Sequence, residues 1–465
     1  AVPHAMITIY RGIFQMKKSY EIDMCNGPLL GKLLLFALPL MLSGILQLFF
    51  NAADIIVVGR FTGSHALAAV GSTSSLINLL VNLFIGFSIG ANVLTAQYYG
   101  AKDQKNIHQT VHTSILVSFL GGVILIAVGL LLARPLLELM ATPEDVLDQA
   151  TLYMQIYFCG MPATMLYNFG AAILRAIGDT RRPLYFLFSA GVLNIFLNLF
   201  FVIVFHMGVA GVALATIISQ TLSAFLVVRC LTRLDGLCRL NLRQLKIYPE
   251  KLLRIIQIGL PAGLQGAVFS ISNVLIQSSV NSFGSTVMAG NTAASNLEGF
   301  VYTSMNAVYQ TALSFTSQNM GAGKYKRIGM ILRRCLALVT VIGLALGGLV
   351  VLFHQPLLSI YSTDPEVISY GTIRLFIICL PYFLCGIMDT LVGMLRGMNY
   401  SILPMIASIV GVCGLRILWI FTVFRWNHTL FTLYISYPLT WALTACVHLC
   451  CYLWVRKRMA ARGAV

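Results

Sequence analysis

Predominantly apolar stretches of twenty or more residues recur along this 465-residue chain, each long enough to cross a hydrocarbon layer of about 30 Å. Too little polar sequence separates them to coat a soluble protein of this size, since 58% of residues are hydrophobic and only 10% charged. Inside a bilayer the backbone has to satisfy its own hydrogen bonds, so the chain reads as an all-α membrane protein. Twelve transmembrane helices are expected, at 30–58, 65–98, 111–132, 150–175, 184–205, 208–230, 254–281, 288–318, 331–353, 371–395, 403–424 and 430–455. Pro39, Pro162, Pro261 and Pro381 fall inside spans and predict kinks that face protein or a cavity.

The second half repeats the first. A shift of 221 positions places Leu174, Arg175 and Pro183 on Leu395, Arg396 and Pro404, and Asn168 on Asp389. It also takes Gln97, Gly100, Ala101 and Lys105 to Gln318, Gly321, Ala322 and Lys326, and Pro135 and Thr142 to Pro356 and Thr363. Blocks that keep one offset through apolar sequence indicate a duplication of roughly 220 residues. Six spans per unit is an even number, so both units enter the membrane from the same side. The expected fold is two parallel-duplicated six-helix bundles about a pseudo-two-fold axis along the membrane normal. The expected domains are a cytoplasmic N-terminal segment at 1–29, an N-lobe at 30–230, a cytoplasmic linker at 231–253, a C-lobe at 254–455 and a cytoplasmic tail at 456–465. Met16, ahead of Lys17 and Lys18, reads as the native start, with residues 1–15 an upstream extension.

A formal charge of +16 would suggest nucleic acid in a soluble protein. Here every Lys and Arg except Arg60, Arg134, Arg374, Arg416 and Arg425 falls in the terminal segments and alternate loops on one side. The positive-inside rule makes that side cytoplasmic, with both termini on it. The basic balance is therefore a topology signal, and the expected partners are membrane lipids, with no nucleic acid. The cysteines show neither a paired framework nor a zinc spacing, and His108 and His112 lack a third ligand. No phosphate-binding loop, nucleophile elbow or metalloprotease pair occurs, so neither an enzyme nor a cofactor is expected, and ion gradients are left to drive any transport.

Three of the fifteen acidic residues, Asp54, Glu298 and Asp389, lie inside spans. Charge at membrane depth is expensive and normally marks an ion or substrate path. Asp54 lies six residues before Arg60, on the order of 9 Å from the outer end of its helix. Its expected partners are Asn194 and Asn198, which share one face of the fifth span. A carboxylate beside two amide carbonyls offers oxygen ligands to a transient Na+, or a carboxyl able to take a proton. The competing reading is that the asparagines only join helices by hydrogen bonds. Asp389 stands where the first unit has Asn168, and the two are expected to face each other across a central cleft. Glu298 is placed near the outer start of its helix, where a capping role competes with substrate binding. Arg416, in mid-span, is expected to pair with Asp389 or Glu298 as a counter-ion.

Several local motifs follow one another in a fixed order along the chain. They are Leu38-Pro39 with Asn51-Ala52-Ala53-Asp54 and Val58-Gly59-Arg60, then Ala96-Gln97-Tyr98-Tyr99-Gly100-Ala101, then Leu174-Arg175-Ala176-Ile177-Gly178-Asp179 with Pro183. Asn194 and Asn198, Gln318-Asn319-Met320-Gly321-Ala322-Gly323, and Met388-Asp389 with Leu395-Arg396-Gly397 complete the set, which covers Gly31 to about Arg458. In this order and at this spacing they resemble the bacterial multidrug and toxic compound extrusion (MATE) family, and the resemblance implies two six-helix lobes around a V-shaped cleft, alternating access, and export of cationic amphiphilic compounds against entering Na+ or H+. Family members use an aspartate in the first helix, matched by Asp54, and one in the tenth, matched by Asp389. Some carry an aspartate in the fifth helix where this chain has Asn198, and a glutamate in the seventh near Phe269 and Ser270. Both departures narrow the expected cation site to Asp54.

The expected function is therefore multidrug efflux of small-molecule organic cations by Na+ or H+ antiport, carried out by a monomer in the bacterial inner membrane. The alternative is a lipid-linked saccharide flippase of the same wider superfamily, which would favour a cationic cleft. A receptor or scaffold without transport would predict that Asp54→Asn is silent.

Overall fold

The computed structural model describes residues 20–62, 64–140 and 142–461; the expected start at Met16, with Lys17 and Lys18, lies outside them. Every regular element among these residues is a helix. The first half runs through Leu29–Phe61 (α1), Ser64–Ala101 (α2), Gln104–Leu139 (α3), Glu144–Cys159 (α4), Met161–Ala176 (α5), Arg181–Leu199 (α6) and Gly208–Thr232 (α7). The second runs through Pro249–Asn281 (α8), Ser285–Gly321 (α9), Tyr325–Leu352 (α10), His354–Ser359 (α11), Pro365–Ile378 (α12), Phe383–Gly397 (α13), Ile402–Ser408 (α14), Leu415–Trp419 (α15) and Leu430–Ala461 (α16). Wide π turns at Phe200–Val204, Ile409–Gly414 and Ile420–Phe424 continue α6, α14 and α15.

Ten helical stretches of the described residues are long and apolar enough to cross a membrane, which makes this a multi-pass membrane protein. Twelve were expected, and the two that do not qualify have separate reasons. The fourth span is broken at Gly160 into two helices of 16 residues each, because Pro162 in the first turn of α5 cannot continue the α4 ladder. The eighth is the 37-residue α9, whose Ser, Thr, Asn and Gln side chains make it too polar to count on composition. The tenth breaks at the matching position, in a 3-10 turn over Leu380–Tyr382 that contains Pro381. Pro39 and Pro261 remain inside α1 and α8. Helix starts recur at one interval: Gln104, Glu144 and Arg181 in the first half are followed 221 positions later by Tyr325, Pro365 and Ile402.

Each half has an apolar core, one around Phe158, Met161 and Met165 and the other around Phe315, Met388 and Tyr434. Large side chains such as Leu131, Phe196, Ile360 and Phe421 point outward and are among the most exposed, a pattern that water would penalise and lipid tails accept. The halves meet where α2 packs on α8 and where α9 packs on α1 and α2. Gly86 and Gly90 on α2 and Gly259 and Gly263 on α8 are spaced by four on both helices, the pattern that lets two backbones touch. A Cβ on Gly86 would stand 2.3 Å from the Gly263 nitrogen, so only glycine fits this crossing.

The end that carries most of the basic residues is sealed. Gln97 Nε2 donates to the Gly397 carbonyl at 3.0 Å, and Gln318 Nε2 to the Ala176 carbonyl at 2.7 Å, so each bond ties one half to the other. The segment before α1 threads through the same region. Its Met24 is fully buried, with its carbonyl held by Asn319 at 3.1 Å, and the Ile22 amide donates to Gly178 at 3.3 Å. In the loop after α5, the Asp179 carboxylate accepts from the Arg181 and Arg182 amides and sits 2.9 Å from the Arg182 guanidinium. Burial nonetheless pushes its pKa up to about 6. The linker between halves folds back onto α3: Asn241 N–H donates to His112 Nε2 at 3.1 Å and Tyr248 N–H to Thr113 Oγ1 at 3.1 Å. His108 stacks on His112 at 3.9 Å, so this pair holds the linker.

Candidate functional site

The polar residues of α6 meet α1 because Asn194 and Asn198 are one turn apart on the face turned inward. Asn198 Nδ2 donates both to Asp54 Oδ1 and, at 3.2 Å, to Asn194 Oδ1. Asn198 is fully buried, and its own carbonyl oxygen, Oδ1, has no partner among the described residues. Asp54 lies seven residues before the end of α1, on the order of 10 Å from it. Turning the Asn198 amide over would set its carbonyl against the carboxylate, an arrangement that needs a proton or a cation between them. The cluster can thus exist in two states that differ by one positive charge.

A cavity of about 670 Å3 lies in the second half, between α8, α9, α13 and α16 and against α2. It extends from the level of Ile89, Gln265 and Arg396 toward Val280 and Ser295, on the side away from the sealed end. Glu298 and Asp389 both line it, as do Arg374, Arg396 and Arg416 with Phe269, Tyr302, Tyr309, Tyr382, Tyr437 and Trp441.

Three expectations for this half are corrected. Glu298 is fourteenth in α9 and 5% exposed, far beyond the first turn, so it caps nothing. Its partner is Arg374, not Arg416. The pair is bidentate, with Nε to Oε1 at 2.8 Å and Nη2 to Oε2 at 2.7 Å, and Nη1 of Arg374 reaches Asn291 Oδ1 at 2.7 Å. Tyr434 OH donates to the same Asn291 oxygen at 3.2 Å, so both charges are held in a closed polar network. Arg416 pairs with no carboxylate among the described residues; it lies over the Tyr437 ring at 4.1 Å and donates to Thr440 Oγ1 at 3.0 Å. Finally, Asn168 does not face Asp389 across this cavity. Its amide donates to the Thr164 carbonyl at 2.9 Å within α5, and it is not part of the lining.

Asp389 makes no hydrogen bond or ion pair with the described residues and presents its carboxylate to the cavity. Arg396 falls just past the expected tenth span, among the loop residues of the basic side, yet it is 4% exposed and donates to Tyr309 OH at 2.7 Å and to Gln265 Oε1 at 2.8 Å. The sequence signal for Arg374 was its place inside an apolar run. For Arg396 there was none, because only the fold brings α8 and α9 around it.

The sequence model of the MatE family matches residues 39–200 and 261–422. Two similar proteins come from Bacillus subtilis strain 168. "Probable multidrug resistance protein YoeA" is 29% identical over 88% of this chain and 90% of its own, and "Probable multidrug resistance protein YpnP" is 30% identical over 85% and 88%. Among solved structures, one described as the outward-facing conformation of a multidrug resistance MATE family transporter of the MOP superfamily superposes with a TM-score of 0.88. It is 22% identical and covers 97% of this chain and all of its own.

Proposed function

The chain belongs to the MatE family, and from that premise we propose that it is a secondary transporter that exports amphiphilic organic molecules, organic cations among them, in exchange for Na+ or H+. The proposed architecture is twelve crossings in two six-helix lobes, with both termini cytoplasmic in a bacterial inner membrane, working as a monomer. The recurrence of helix starts at one interval supports the duplication, and the position of the basic residues supports the orientation. The coupling site is Asp54 with Asn194 and Asn198, and the substrate path is the cavity lined by Asp389.

The observation that carries this reading is the Asp54–Asn198 contact beside an unpartnered amide oxygen, a cluster one positive charge short of full satisfaction. Alternating access then requires that the basic end, held here by Gln97, Gln318 and the segment around Met24, opens when the charge state of Asp54 changes. A coupling ion acts only through the difference in its affinity for the two states. The relatives named above give the flippase reading no support.

The test is uptake of a fluorescent organic cation by proteoliposomes under an imposed Na+ gradient and, separately, a pH gradient. Wild-type flux under one gradient that is lost in Asp54→Asn is the expected result. Flux that survives in Asp54→Asn and disappears only in Asp389→Asn moves coupling to the second half, and no flux of folded protein under either gradient overturns the proposal.

A further inference from the structure

At the basic end, outside the cavity and the Asp54 cluster, Lys105 at the start of α3 and Arg239 and Arg243 of the linker line a second cavity, of about 920 Å3, whose wall includes the end of α7 at Thr232. The linker is pinned there on two sides. Leu240 N–H donates to the Leu231 carbonyl of α7 at 3.0 Å, and Asn241 N–H to His112 of α3. Gln244 Oε1 lies 3.1 Å from His108 Nε2. Cys238 and Leu240 are buried while Arg239 between them stays exposed, and the Asn241 side chain caps the 3-10 turn Leu242–Gln244 that carries Arg243. The fold thus fixes where the backbone of each cation stands.

No acidic side chain is among the lining residues; Asp103 and Asp235, their neighbours in sequence, lie outside it. Asp103 accepts from the Asn106 amide and side chain at 3.1 and 2.6 Å. The positive-inside rule is met by basic residues scattered anywhere on this side. It does not require three of them on one concave wall, where like charges repel. A phosphate answers that arrangement, since two guanidinium forks and an ammonium are the groups that bind its oxygens best. Such a phosphate could be dissolved or carried by a lipid, and two features favour the lipid. The cavity lies at the ends of two membrane-spanning helices, the level at which headgroups stand. Leu242 also lines it and is 53% exposed, an apolar side chain better matched to acyl chains than to water. We propose that this cavity is a binding site for the phosphate of an anionic phospholipid, held by Lys105, Arg239 and Arg243. A lipid bound there joins the linker to α3 and α7 and braces it against the first half.

Native mass spectrometry of the full-length protein in detergent tests this, with the apparent affinity for the first bound lipid as the readout. Dioleoylphosphatidylglycerol is compared with dioleoylphosphatidylcholine, which has the same chains and no net charge. At about fivefold per basic group, wild type is expected to prefer the anionic lipid roughly 100-fold. Arg239→Gln combined with Arg243→Gln should reduce the preference to about fivefold. Arg229→Gln combined with Arg254→Gln removes the same charge from residues that do not line the cavity and should leave the preference as it was. Equal affinity for the two lipids in wild type overturns the site whether or not the variants fold, as does a preference that falls equally in both double variants. Displacement of the lipid by an equal concentration of glycerophosphoglycerol, the same headgroup without acyl chains, assigns the cavity to a dissolved phosphate compound and overturns the membrane source.

Discussion

Gln97 and Gln318 stand 221 positions apart, and the carbonyls that accept their amides, Gly397 and Ala176, stand 221 positions apart in the opposite sense. Each half therefore grips the other with the same residue at the same place. At the heart of the seal at the basic end is one contact made twice, to which the segment around Met24 adds its own ties.

Removing one grip should loosen that end without unfolding the protein. Gln318→Ala also deletes the acceptor that lies 3.8 Å from the Cys25 thiol. For a loss of about 1 kcal/mol, alkylation of Cys25 followed by residue-resolved mass spectrometry should accelerate about fivefold. An unchanged rate would mean that the amide bond does not hold the closed state.

Two of the three buried arginines of the second half, Arg374 and Arg416, should matter to stability by different amounts. Glu298→Gln strips Arg374 of its bidentate partner and should destabilise the protein by about 3–5 kcal/mol. Combining it with Arg374→Met should recover most of that loss. Arg416→Gln leaves no carboxylate stranded and should cost far less. Unfolding midpoints in detergent decide the matter, and equal losses for Glu298→Gln and Arg416→Gln would contradict the pairing described here.

At the other site, Asn198→Ala removes the amide from Asp54 and from Asn194. Coupled flux at a fixed gradient should fall about tenfold or more, the scale of a hydrogen bond to a charged group. Substrate affinity, measured without a gradient, should stay as it was. A variant that transports normally would reduce Asn198 to helix packing.

Asp179 gives a pH dependence with a definite sign. Its pKa is raised by burial to about 6, above its unfolded value of 3.8. The folded state thus holds this proton more tightly. Stability from this group is fully present below about pH 4 and is lost as pH rises through 6, by roughly 3 kcal/mol in all. Asp179→Asn keeps an acceptor for the Arg181 and Arg182 amides and should flatten the midpoint between those pH values. A slope that survives the substitution belongs to another group.

Much of the architecture was legible because the bilayer leaves few choices. Apolar length marked the spans, and Pro162 and Pro381 lay where the fourth and tenth helices break. The spacing of Asn194 and Asn198 was enough to place them together, since helix geometry fixes a contact four residues apart. Charge pairing was not legible. Arg374 and Glu298 are 76 positions apart and on different helices, so only the rotation of α12 against α9 decides that Arg374, and not Arg416, reaches the carboxylate. The glycines at 86, 90, 259 and 263 did carry a readable spacing, which composition alone concealed among 39 glycines.

That crossing has a mechanical consequence. Side chains that interlock act as gear teeth, and to move past one another they have to climb out of their grooves. Where Gly86 rests on Gly263 there are no teeth: two peptide surfaces touch with no interlocking side chains between them. A single methyl placed there stands 2.3 Å from a backbone nitrogen, closer than ordinary contact by more than 1 Å, and would force the axes apart. The two apolar cores thus lie on either side of a crossing made of bare backbone, and neither core's packing runs through it.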